Sequence, residues 1–341
     1  VAGLEALLAR HWWRPRPDAL AQALRPLSWL YAALAWLHAL PWRAGWRRPE
    51  PTPVPVIVVG NLVAGGAGKT PVVIALVEAL RAAGRQPGVI SRGYGRRSDE
   101  VAPVQATSTA AAVGDEPLLI HRRTAAPVQV GRRRLEAARA LCKRHPEIDV
   151  IVADDGLQHH ALARAAEVLV FDARGAGNGL RLPAGPLREP LPRSPGQDRW
   201  VLYNAERPTT PLPGATFERR LGHAVALADW HAGRATAAPL SSLRGRRLVA
   251  AAGIATPERF FAMLEAAGLD IERLPLPDHH DFASLPWPPG TPEVLVTEKD
   301  AVKLDPARCA PTAVWVMGLD SRLPTDFVQS LLARLGPPLP P

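Results

Sequence analysis

Lysine is nearly missing from this chain of 341 residues: of 41 basic side chains only Lys69, Lys143, Lys299 and Lys303 are lysines. An ammonium is a compact point charge and a guanidinium a planar fork, so retention of lysine where arginine would not serve is one reading of this bias, and drift is the plain alternative. Cysteine is equally scarce. Cys142 and Cys309 lie far apart with no metal-ligand spacing, which excludes a disulfide scaffold and suits a reducing cytoplasm. No tandem repeat of useful length occurs, and no Asn-Lys-x-Asp tetrapeptide is present to read guanine. Thr297-Glu298-Lys299-Asp300 is a poor substitute for it, so a switch GTPase is disfavoured. Acidic residues fall short of basic ones, leaving a formal charge of +9. That charge suits an anionic substrate, nucleic acid or an acidic membrane surface without choosing among them, because much of the arginine is scattered. The length allows roughly two domains with ample core.

What the chain does contain is a glycine-rich loop, Val59 to Thr70, that follows the apolar run Pro55–Val59 and precedes the helical pattern Val72–Leu80. In this order the small residues Gly65, Gly66, Ala67 and Gly68 let backbone N–H groups turn around phosphate oxygens. Lys69 reaches the β/γ-phosphates and the Thr70 hydroxyl ligates Mg²⁺. The loop departs from G-x-x-x-x-G-K-T at Val63, where glycine is expected. A partitioning or targeting ATPase is the nearest competing class, but the signature lysine of its loop is replaced here by Ala64.

Downstream the chain reads as alternating strands and helices. Gln86–Ser91 is a short strand leading into the basic loop Ser91 to Arg96. Asp115 and Glu116 open a helical pattern, where local sequence favours capping and dipole stabilisation as their role. Asp149–Ala153 is a buried-type strand ending in Asp154 and Asp155, the form of an acidic strand end that serves Mg²⁺ beside a phosphate loop. Val168–Phe171 is another strand. Arg188 and Glu189 follow on a Pro/Gly-rich loop, where Arg188 is a candidate phosphate clamp and a solvated Arg-Glu pair is the plain alternative. The stretch from about Arg207 to Leu240 reads as a connection, and a fresh α/β unit starts at Arg247–Ile254 with a helix over Pro257–Ala267. Asp278-His279-His280 lacks a third metal ligand at usual spacing, so a histidine that shares a proton with a carboxylate is favoured over zinc.

The first 48 residues differ from the rest. Six of ten tryptophans, Trp12, Trp13, Trp29, Trp36, Trp42 and Trp46, occur there among seven arginines. The apolar run Leu27–Leu40, bounded by Pro26 and Pro41, has 14 residues, short of the ~20 that cross a bilayer. It is expected to lie on a membrane, tryptophan and arginine being the residues of headgroup depth. A helix packed on the protein's own core is the alternative.

These segments together resemble the tetraacyldisaccharide 4'-kinase family, the lipid A 4'-kinases of Gram-negative bacteria. The matching stretches are Val59–Leu62 with Gly65–Pro71, Ser91–Arg96, Gly114–Pro117, Asp154–His159, Gly177–Gly179 with Pro183–Pro190, Asp278–His280 and Thr297–Lys303. The resemblance implies an α/β fold: a P-loop NTPase-like core with a mainly parallel sheet, an N-terminal membrane-surface helix and a smaller second α/β lobe. The expected division is 1–48, 49–215 and 216–341. It further implies ATP and Mg²⁺, and transfer of the γ-phosphoryl group to the 4'-hydroxyl of an acylated glucosamine disaccharide 1-phosphate in lipopolysaccharide biosynthesis. Catalysis would fall to Lys69, to Asp115 as base and to His279 as its partner, His279 being preferred to His280. Gly65 to Thr70, Arg188 and Glu189 would hold nucleotide, and Thr70, Asp154 and Asp155 the metal. The expected place is peripheral, on the cytoplasmic face of the inner membrane against an anionic lipid surface. Neither nucleic acid nor an obligate protein partner is expected.

Overall fold

The structure is a computed structural model that describes Leu8, residues 10–234 and residues 236–337. Residues 1–7 and 9 of the tryptophan-rich segment, and 235 and 338–341 of the expected second lobe, lie outside the described residues. The fold is mixed α/β with mainly parallel sheets. Contacts divide it into two compact units, 1–91 with 133–218 and 323–341, and 92–132 with 219–322. The division is discontinuous, unlike the three successive segments expected from composition. Residues 92–132, Asp115 among them, belong with the later part of the chain. The helix Thr325–Leu335 belongs with the first unit, where it packs on the helix Lys69–Ala82 and the strand Ala166–Asp172.

In the first unit the strand order is Pro87–Ser91, Val150–Asp154, Val56–Gly60, Ala166–Asp172, Arg199–Asn204, Ala215–Thr216, all parallel. Val56–Gly60 and Val150–Asp154 are buried along their whole length, as near-continuous apolar strands in a helix-covered parallel sheet must be. The register sets Val59 opposite Asp154. The strand end that launches the glycine-rich loop and the one that carries the two acids are therefore level. A Cβ on Gly60 would stand 2.5 Å from Leu157 Cγ, so only glycine lets the loop leave so close to the neighbouring one.

At the N-terminus a short helix, Ala19–Ala23, capped by the Asp18 carboxylate, is followed by the helix Arg25–Arg43. The prolines expected to bound the apolar run lie inside this helix. Pro26 occupies its first turn, where the missing N–H has no partner to lose, and Pro41 its last. The residues it turns inward are small, Ser28, Ala32 and Ala39, whereas Leu27, Trp29, Leu30, Leu34, Trp36 and Leu37 are each 51–64% exposed. That is the reverse of a helix serving a soluble core. No helix among the described residues is long and apolar enough to cross a membrane.

The second unit carries a six-stranded sheet in the order Ala237–Ala238, Glu218–Ala226, Ala313–Arg322, Glu293–Thr297, Leu248–Ala252, Ile271–Pro275. A small antiparallel pair joins Ala102–Pro103 to Val128–Val130. Glu218–Ala226 lies within the stretch expected to be a connection. Its arginines and half-exposed pattern hide the strand, because only its C-terminal end, Ala224 and Val225, is buried. Side chains alternate across the Glu293–Thr297 strand: Val294 and Val296 join Phe282 and Trp287 on one face, and Leu295 joins Phe260, Phe261 and Met317 on the other. The period of two fixes which loops emerge together at its carboxyl end.

Candidate active site

The loop after Val56–Gly60 is built by side chains that hold its carbonyl oxygens. Asn61 Nδ2 donates to Gly65 O (3.1 Å), Arg174 to Gly66 O (2.5 Å) and Asn204 Nδ2 to Ala67 O (3.3 Å). In a trans peptide the N–H points opposite the carbonyl, so fastening three successive carbonyls on donors turns the N–H groups of Gly66, Ala67 and Gly68 to the other side. Gly68, at φ +75°, is the N-cap of the helix Lys69–Ala82, a left-handed position that glycine takes without strain. Helix N-terminus and inward N–H groups together make an anion site. Val63 is fully buried and bridges to Leu187, while Ala64 N donates to Pro186 O (2.7 Å). The residue that breaks the G-x-x-x-x-G pattern thus belongs to a strand-like brace; the phosphate turn begins only at Gly65.

Lys69 Nζ lies 3.3 Å from Asn61 Oδ1 and 3.4 Å from Asp155 Oδ1. Thr70, buried, stands in the helix's first turn. Asp154 closes its strand with Oδ2 accepting from Ser91 Oγ (3.1 Å), and the buried Arg134 guanidinium donates to the carbonyls of Asp154 (3.4 Å) and Asp155 (3.5 Å). Asp155 follows at φ +52°. Burial pushes its carboxyl up, but Lys69 and Arg188 outweigh this and hold it below the usual carboxylate range. Its Oδ1 is buried and faces the Lys69 ammonium at 3.4 Å and the Arg188 guanidinium at 3.6 Å. A hydroxyl and two carboxylates are the oxygen donors that suit a hard cation such as Mg²⁺. Among the described residues no cluster of three or more His, Cys, Asp or Glu forms an all-protein metal cage.

Arg188 and Glu189 face different partners. Arg188 NH1 is 3.6 Å from Asp155 Oδ1, the Arg188 backbone N–H donates to Leu62 O (2.8 Å), and Glu189 accepts from Gln158 Nε2 (3.0 Å). The loop bearing them is gripped by the N-terminal segment. Trp12 Nε1 donates to Pro183 O (2.8 Å), Ser28 Oγ to Arg181 O (2.8 Å) and Tyr31 OH to Arg188 O (3.3 Å). Asn61 and Ser91 lie in matching stretches but have no role assigned from sequence, and Arg134, Asn204 and Tyr31 carry no motif of their own; their contacts mark all five as part of the site.

Asp115 and His279 lie in the second unit and meet there. Asp115 opens the helix Asp115–Thr124 and is 5% exposed. Its Oδ1 accepts from Glu116 N (2.9 Å), the helix-start role, while Oδ2 is 2.9 Å from His279 Nδ1. Burial raises this carboxyl, but the bond to His279 and the charge of Lys299 bring it below its ordinary value. His279 sits at φ +58° in the loop after Ile271–Pro275, its N–H donating to Gly253 O (3.2 Å) and its ring packed on Tyr94 at 5.0 Å. Burial disfavours its imidazolium, yet the hydrogen bond to Asp115 and the Asp278 charge prevail over burial and Lys299, so its pKa is raised. The neighbouring histidine is engaged elsewhere: His280 Nδ1 accepts from Phe282 N (3.1 Å) and its ring packs on Phe282.

Comparison with known proteins places these features in company. The family model described as tetraacyldisaccharide-1-P 4'-kinase (LpxK) matches residues 20–336. A tetraacyldisaccharide 4'-kinase of Methylibium petroleiphilum is 55% identical, covering 98% of this chain and 95% of that protein. One of Leptothrix cholodnii is 52% identical over 97% of this chain and 96% of the other. The crystal structure of the "apo" form of LpxK from Aquifex aeolicus in complex with ATP superposes with a TM-score of 0.75 at 26% identity, covering 93% of this chain and 99% of that one. With a phosphate loop, two acids at the end of the neighbouring strand and a match spanning nearly its whole length, the chain belongs to the tetraacyldisaccharide-1-P 4'-kinase family.

Proposed function

We propose that this chain transfers the γ-phosphoryl group of ATP to the 4'-hydroxyl of a tetraacylated glucosamine disaccharide 1-phosphate, with Asp115 as the base. The observation that carries the base assignment is the 2.9 Å contact between the Asp115 carboxylate and His279 in a chain that also holds a phosphate loop. A hydrolytic ATPase has no alcohol to deprotonate; a kinase acting on a sugar does. As the new O–P bond forms and the bond to ADP breaks, the hydroxyl proton passes to Asp115 Oδ2, and His279 steadies the charge that is redistributed. Lys69 and Arg188 offset charge on the transferring group. Thr70, Asp154 and Asp155 hold Mg²⁺, which supplies charge neutralisation and alignment of the phosphates when bound.

The helix Arg25–Arg43 seats the enzyme peripherally on the cytoplasmic face of the inner membrane, because an acceptor with four acyl chains stays in the bilayer. Its outward Leu and Trp side chains support this, together with the arginines at both ends. Replacing Trp29, Leu34 and Trp36 together by serine is expected to move the protein from membrane to soluble fractions. Activity on substrate in vesicles should fall about tenfold or more, each buried large apolar side chain being worth about 1.5–3 kcal/mol. Substrate dispersed in detergent should be turned over normally. Unchanged sedimentation with membranes would remove the helix from this role.

The reaction itself is tested by incubation with γ-labelled ATP, Mg²⁺ and the tetraacyl disaccharide 1-phosphate. Label on the distal sugar is the expected product. ATP turnover indifferent to the lipid would refute the assignment.

A further inference from the structure

Thr297 to Lys303 holds two of the chain's four lysines and has no part in the reaction as described above. The segment leaves the carboxyl end of the Glu293–Thr297 strand as a short helix, fastened by Asp300. That side chain is fully buried and accepts from Thr297 Oγ1 (2.7 Å), Gly253 N (3.0 Å) and Lys303 Nζ (2.9 Å). Lys303 Nζ stands 3.9 Å from Asp115 Oδ2 and over the Phe282 ring, with Asp300 as its close counter-charge. Lys299 faces the other way. Its Nζ is 3.1 Å from Asp278 Oδ1, 3.3 Å from Glu116 Oε1 and 3.4 Å from His279 Nε2.

An ammonium has only protons to offer. In the neutral ring, Nε2 of His279, facing Lys299 at 3.4 Å, is the bare, accepting nitrogen, because a proton there would point at a positive charge. A neutral imidazole then carries its hydrogen on Nδ1, which is the atom 2.9 Å from Asp115 Oδ2. We propose that Lys299 is a positioning residue of the Asp115–His279 pair, its ammonium fixing the imidazole as the tautomer that donates from Nδ1 and leaving Asp115 an unprotonated acceptor. The proposal rests on Asp115 being the base.

The surrounding charges agree with this assignment. His279 is faced by Asp115 from its helix, Asp278 from its own loop, Lys299 from the short helix and the Tyr94 ring from the basic loop. Asp115 is faced by His279, Lys299 and Lys303. The carboxylates draw a second proton onto the imidazole and Lys299 opposes it. The ammonium is kept charged despite burial, because Glu116 and Asp278 raise its pKa more than desolvation lowers it. An imidazolium bonded to Asp115 would make the carboxylate a poorer proton acceptor, so Lys299 keeps the pair competent to lower pH. A point charge aimed at one ring nitrogen is also a task that lysine performs and the forked guanidinium does not.

The test uses the full enzyme. With ¹⁵N-labelled protein and the His279 signals identified by their loss in His279→Gln, the imidazole is expected to show a protonated Nδ1 and a bare Nε2 on the alkaline side of its titration. In Lys299→Met the imidazolium should persist to higher pH, and the acidic limb of the kcat profile should rise by about one pH unit, as removal of a close like charge requires. In Lys299→Arg, which keeps the charge, the limb should stay in place even if kcat falls. An unmoved limb in Lys299→Met, or a protonated Nε2 in the parent enzyme on the alkaline side of that titration, overturns the proposal. If Asp115→Ala keeps full activity while His279 shows the expected tautomer, the base assignment falls and the hold of Lys299 on the imidazole stands.

Discussion

Asp115→Ala lowers kcat for phosphorylation of the disaccharide by about 10²- to 10⁴-fold, the range of a lost general base, and leaves the KM for ATP nearly unchanged. The split follows from the assigned roles: Asp115 touches His279 and the lysines of Thr297–Lys303 and is not one of the residues proposed to hold nucleotide. The same substitution leaves two partly buried ammonium groups and an imidazole short of a counter-charge, so stability falls as well. Thermal unfolding of the variant should therefore be followed beside its kinetics, with rates taken well below the midpoint. Asp115→Asn is the sharper probe, since it keeps the volume and the helix-start acceptor while losing the capacity to take a proton. A fall in kcat of less than tenfold in a folded variant, or a loss carried by KM with kcat intact, would remove Asp115 from the proton transfer.

Lys69→Ala is expected to damage binding and turnover together, with kcat/KM for ATP lower by about 10²- to 10³-fold, the scale of losing one preorganised charged donor. Lys69→Arg should recover little of it. The ammonium sits between Asn61 Oδ1 and Asp155 Oδ1, at 3.3 and 3.4 Å, with 11% of the side chain exposed, and a planar guanidinium has no room to present a single donor to each. Isothermal titration with a non-hydrolysable ATP analogue, beside steady-state rates, separates the two losses. An arginine variant near parental activity would show that this place demands charge alone.

How far the chain could be read from its sequence differed from element to element. The strands Val56–Gly60 and Val150–Asp154 were legible because a helix-covered parallel strand is apolar on both faces and stands out without an alignment. The second sheet was harder. Glu218–Ala226 carries arginine and histidine and is only half-buried along most of its length, so composition marks it as a connection while pairing makes it a strand. The discontinuous units were invisible for a related reason: no change in composition marks residue 91 or residue 132, although the chain passes from one unit to the other there. Within the site, residues with a motif could be found and their supports could not. Asn204 and Arg174 hold carbonyls of the loop from places far along the sequence. Val63, a departure when read as pattern, is explained once its bridge to Leu187 is seen. The two adjacent histidines could not be separated by spacing, and it is the bond from Phe282 N that occupies His280.

The helix Arg25–Arg43 presents a different kind of residue to each side, and that has a genetic consequence. Ser28 and Tyr31 bond to the loop that carries Arg188, whereas Leu30, Leu34 and Leu37 are exposed on the outer side. Loss-of-function alleles along this one helix should therefore fall into two classes that alternate with its turn. Changes on the inner line would impair the enzyme on any acceptor, dispersed or membrane-bound. Changes on the outer line would be silent in detergent and evident only in the cell, so a screen run on solubilised substrate would overlook half of the helix.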